Sequence, residues 1–181
     1  ENADNFKPEK LDFTKYKNCK EPPLLLQWDS RWGYMRYNGK VFGLSGSAPT
    51  CLSMAAIYLT QDVSMTPVHF AEVAKNTPYE TNPEMMLSDN NKVFNYLKVK
   101  DIDHNQKRFT DAVKEDGSVV ICLMKKSQDF SEAIVVKGID KNNKFLINDP
   151  GSKKRSETAY TYSQLDGEIR KIWKVSRKEN N

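Results

Sequence analysis

The stretch from Ser47 to Leu59 constrains this chain most. It reads Ser-Ala-Pro-Thr-Cys-Leu-Ser-Met-Ala-Ala-Ile-Tyr-Leu, without a charged side chain. Leu52, Ala55, Ala56 and Leu59 recur at the spacing of one helical face. The remaining faces carry little that needs water, so the helix belongs in the centre of a domain. Its start is marked as well. Ser47 is a good N-cap residue, and Pro49 falls in a first turn, where a missing N–H costs nothing.

Burying such a helix requires other elements around it. Thr66-Pro67 opens a second helix with Val68, Ala71 and Val73 or Ala74 turned inward. Asn82-Pro83 precedes a third, carrying Met86, Val93, Phe94 and Leu97. A fourth runs from about Gln106 to Glu115 with Phe109 and Val113, and Gly117 stops it. From there the apolar period changes. Ser118–Met124, Glu132–Ile139, Lys144–Asn148 and Glu168–Ser176 read as strands, with a turn at Asn142-Asn143. Gln27 to Gly43 is rich in aromatics and glycine and reads as a packed loop or short hairpin around Asn38-Gly39. Helices first and an antiparallel sheet afterwards is an α+β layout.

A chain of 181 residues fits one domain. The expected organisation is a polar tail or tether over residues 1–22, one domain over 23–176 and a short tail over 177–181. The 28 basic and 24 acidic residues are scattered, which points away from nucleic acid as a partner. Lys153, Lys154 and Arg155 form the densest basic cluster and read as a solvated loop tip. No apolar run approaches the roughly 18 residues of a membrane helix, so no transmembrane segment is expected. Cys19, Cys51 and Cys122 share no close spacing, so neither a metal site nor a redox pair is expected, and no cofactor. Cys51 and Cys122 read as small core residues. The opening stretch from Glu1 to Lys20 is polar and lysine-rich, as a segment is after loss of a signal peptide or lipoprotein anchor. The expected location is secreted or at the cell surface.

Four segments taken together carry a resemblance. Gln27-Trp28-Asp29-Ser30-Arg31-Trp32-Gly33-Tyr34 resembles the Q-W-D-x-R-W-G-Y motif of the bacteriocin-processing (double-glycine leader) peptidase-like family of the papain clan. Ser45-Gly46-Ser47-Ala48-Pro49-Thr50 resembles its S-G-C-G-P-T nucleophile motif. Ser131-Glu132-Ala133-Ile134-Val135-Val136-Lys137-Gly138 resembles its G-H-x-I-V-V-x-G strand, and Ile147-Asn148-Asp149-Pro150 its I-N-D-P strand end. The resemblance implies a papain-like cysteine-peptidase fold, with N-terminal helices around a central buried helix packed on a C-terminal antiparallel sheet. It also implies a site in which a helix N-terminus favours a thiolate, an imidazole moves the proton and a carboxylate orients that ring.

The departures matter for function. Ser47 stands at the cysteine position, Ala48 at the following glycine and Glu132 at the histidine. Asp149 is retained, and Gln27 matches the oxyanion glutamine. A serine hydroxyl without a general base is a poor nucleophile near neutral pH. Of the two histidines, His69 lies within a helical pattern and His104 in a polar segment, and both read as surface residues. The expectation is a peptidase-like domain without catalysis, binding a peptide or small polar ligand through Ser47, Gln27, Glu132 and Asp149. Two carboxylates lining the site favour a basic ligand. The alternative is an active hydrolase, a peptidase in which Ser47 works with a carboxylate whose proton affinity burial has raised or with another unusual base.

Overall fold

The computed structural model describes residues 6–8, 10–90 and 95–179. Its centre is an antiparallel six-stranded sheet. In chain order the strands are β3 (Leu97–Asp101), β4 (Ser118–Met124), β5 (Ala133–Ile139), β6 (Phe145–Asn148), β7 (Ala159–Tyr160) and β8 (Ile169–Arg177). Across the sheet they run β3-β8-β4-β5-β6-β7. A separate hairpin pairs β1 (Arg36–Tyr37) with β2 (Lys40–Val41). Its turn places Asn38 and Gly39 at positive φ, which is why the Asn-Gly pair sits there.

The helices are α1 (Phe42–Ser45), α2 (Ser47–Thr60), α3 (Pro67–Ala74), α4 (Pro83–Ser88), α5 (Gln106–Lys114), α6 (Lys153–Ser156) and α7 (Tyr162–Asp166). Apart from its first residue, β4 is buried on both sides, and its alternation divides the interior. Val119, Ile121 and Leu123 face α2, α3 and α4 together with Val135, Trp173 and Val175. Val120, Cys122 and Met124 face the other way, onto Phe109 and Val113 of α5 and Leu165 of α7. The sheet is therefore covered on both faces, rather than by all the helices on one.

The uncharged stretch behaves as its composition requires: every residue of α2 from Ser47 to Ile57 is buried. Thr66 caps α3 by accepting from the His69 N–H, and Phe70, Ala71 and Ala74 line its inner face. One expectation is corrected. The third helix ends at Ser88, and Leu97 belongs to the edge strand β3, where Leu97 and Val99 point inward while Lys98 and Lys100 point out. Val93 and Phe94 lie outside the described residues. Within residues 10–22, Phe13 is buried in the main core, and Leu11, Tyr16 and Cys19 pack against it.

Candidate functional site

The loop preceding the hairpin is held by its own side chains. Asp29 forms a two-point ion pair with Arg31, through Nε at 3.1 Å and Nη2 at 2.9 Å. Burial pushes the Asp29 carboxyl up, but the Arg31 hydrogen bonds outweigh it and the net shift is down. The Arg31 guanidinium lies over the rings of Phe13 and Trp32, at 5.5 and 4.8 Å. The buried Trp32 indole donates to the Leu26 carbonyl. These contacts fix Gln27, and Gln27 ties two segments together. Its backbone N–H donates to the Pro150 carbonyl at 2.7 Å, and its side-chain Nε2 donates to the Gly43 carbonyl at 3.1 Å. Its Oε1 is buried without a hydrogen-bond partner among the described residues.

The segment 42–46 then sets the start of α2. The N-cap is Gly46, not Ser47, and no side chain caps this helix. A Cβ on Gly46 would come within 2.6 Å of the buried Phe42 ring, so the position has no room for a capping side chain. Ser47 is thus already helical and 2% exposed, and its Oγ is buried with no hydrogen-bond partner among the described residues. Thr50 makes the local bond in its place, donating from Oγ1 to the Gly46 carbonyl at 2.7 Å.

Asp149 is fully buried at the end of β6 and bound from four sides. Its Oδ2 accepts from the Ser131 N–H at 3.1 Å and from Arg155 Nε at 2.7 Å. Its Oδ1 accepts from Ser131 Oγ–H at 2.5 Å and from the Gly151 N–H at 2.8 Å. Gly151 is constrained by the same network, since a Cβ there would collide with Ser131 Oγ. Arg155 is therefore not part of a solvated loop tip. Its charge compensates Asp149, which removes one of the two carboxylates that favoured a basic ligand. Glu132, next to Ser131, is exposed. The Tyr37 hydroxyl is pushed well up, by burial first and then by the Glu80 and Glu132 charges.

The folded chain thus bonds Ser131, just before β5, directly to Asp149, and bonds Gln27 to Pro150, the residue after Asp149, and to Gly43 in the segment leading into Ser47. It brings no imidazole to Ser47 Oγ. His69 Nε2 lies 3.4 Å from Tyr96 Oη, and His104 Nε2 lies 2.7 Å from Asp166. Cys51, one turn into α2, is no substitute nucleophile. Burial, with the Asp149 charge second, pushes its thiol far above the ordinary range. Two surface cavities, of about 230 and 270 Å³, lie at the β3 edge around Asp101–Asp103, and none of the four candidate residues lines them.

Reading the sequence missed two residues, Ser131 and Arg155. Ser131 carried a signal, because it stands where the resembled motif has glycine. Arg155 carried none, since nothing local distinguishes it from Lys153 and Lys154.

The fold is that of a mixed helix-and-sheet domain with a six-stranded antiparallel sheet. The profile of the Peptidase_C39 like family matches residues 23–181, and the chain belongs to that family. No curated protein matches it.

Proposed function

We propose that this chain is a papain-like peptidase-type domain that has lost catalysis and acts by binding, secreted or at the cell surface. The observation that carries this reading is the state of Asp149. A carboxylate that orients a catalytic imidazole needs an oxygen aimed at that ring. Here both oxygens are taken by Ser131, Gly151 and Arg155. The Ser47 hydroxyl supports the same reading, for a nucleophile needs a base within hydrogen-bond reach, and this buried hydroxyl has no partner among the described residues. Peptides and small polar ligands fit the reading as partners near Glu132, which is exposed.

The experiment is incubation of the purified protein with peptide libraries and with irreversible serine and thiol reagents. No turnover and no labelling of Ser47 are expected; turnover that disappears in Ser47→Ala overturns the reading. A restored pair, Ser47→Cys with Glu132→His, is expected to stay inactive while Ser131 and Arg155 hold Asp149. Activity is expected to emerge only when Ser131→Gly and Arg155→Met are added.

A further inference from the structure

Four large apolar side chains stand out into solvent among the described residues: Trp28, Tyr34, Leu44 and Met85. The backbone segments that carry the first three lie against one another. Gly43, beside Leu44, passes so close to Trp28 that a Cβ on it would lie 3.4 Å from the Trp28 Cα and Cβ. The Gly43 N–H donates at 2.9 Å to the carbonyl of Gly33, the neighbour of Tyr34. The Phe6 ring adds to the group, 6.0 Å from that of Tyr34. Their exposures are 55% for Trp28, 62% for Tyr34 and 74% for Leu44. Values this high describe side chains that project, whereas side chains lining a peptide groove are mostly covered.

Cations border the projecting group. Trp28 Nε1 donates to the Gly151 carbonyl at 3.2 Å, and Lys153 and Lys154 follow directly, both exposed on α6. Lys40 is exposed on β2, shortly before Leu44. The exposed Glu132 and Glu157 are opposing charges at this end, while Asp29, beside Trp28, is paired with Arg31. Projecting Trp, Tyr and Leu with a lysine border match the chemistry of a lipid interface, where indole and phenol rings settle at headgroup depth and lysines meet anionic headgroups.

We infer that the Trp28–Tyr34–Leu44 surface docks on an anionic lipid bilayer, with Lys40, Lys153 and Lys154 meeting the headgroups. This inference is independent of whether the domain is catalytic.

The test uses the full chain with vesicles of phosphatidylcholine, with and without phosphatidylglycerol, read by co-sedimentation and tryptophan fluorescence. Trp32 and Trp173 are buried, so a blue shift reports Trp28. The expected result is partition onto the anionic vesicles with a blue shift, weakening as salt rises. Tyr34→Ser with Leu44→Ser should weaken partition on the order of ten-fold or more. Lys153→Gln with Lys154→Gln should weaken it roughly thirty-fold. Because all four side chains are exposed, both variants should keep the parent thermal melt. The inference is overturned if no vesicle partition is seen, or if partition survives both variants. It is also overturned if the chain ignores vesicles while the same substitutions abolish self-association or capture of a poly-glutamate peptide.

Discussion

At the scale of single residues, Ser47 separates two physical roles that its sequence context cannot. A capping serine contributes about 1 kcal/mol, which alanine removes. A buried hydroxyl without a partner instead costs the fold on the order of 1–3 kcal/mol. The structure shows the second situation, because Gly46 holds the cap position and Ser47 Oγ is unpaired. Ser47→Ala is therefore expected to leave stability unchanged or raise the melting temperature by roughly 2–4 °C per kcal/mol relieved, as scanning calorimetry would read. A drop of similar size would restore the capping role. The candidate positions were read from motif order along the chain. Their wiring was not, since Ser131–Asp149 and Arg155–Asp149 join groups that only the fold brings into contact.

Among the elements, legibility followed the strength of the period. The uncharged run gave α2, the Thr-Pro cap gave α3, and the strands that line both interiors announced themselves after Gly117. The edge strand β3 stayed hidden although Leu97 and Val99 alternate with Lys98 and Lys100. Leu97 also falls one helical repeat after Val93, so a helical reading absorbed it, and edge strands carry the lysines that blur a strand signal. The loop before the hairpin is the element on which the site leans, and Gly33 is its tightest point. A Cβ there would meet backbone atoms of Trp28 and Asp29 at 2.9 Å, and backbone cannot swing aside as a side-chain tip can. Gly33→Ala should cost about 1–3 kcal/mol. The distortion should travel through the Gly33–Gly43 bond to the carbonyl that holds Gln27. A lower melting temperature together with an altered near-ultraviolet aromatic spectrum is the expected signature. A melt like the parent's would show that the loop has slack.

For the molecule as a whole, the open question is where the folding unit begins. The family match starts at residue 23, and the polarity of the preceding stretch reads as a tether. Yet Phe13 is 2% exposed, edge-on to Tyr16 and Trp32, at ring separations of 5.2 and 5.8 Å. It also forms one of the two aromatic surfaces beneath Arg31, whose partner Asp29 begins the loop that carries the site. Lysines surround this phenylalanine in the sequence and mask it, because a lone aromatic in a charged segment has no period to betray it. Farther along, the Asn148 amide donates to the Pro22 carbonyl, so the end of the same segment is stitched to β6. If residues 10–22 are part of the cooperative unit, Phe13→Ala should behave as a core truncation. The cost is then about 3–5 kcal/mol, and the melting temperature falls by at least about 6 °C. A tether predicts no change at all. The two outcomes are far enough apart that one calorimetric scan of a single variant decides whether this domain begins at its family boundary or before it.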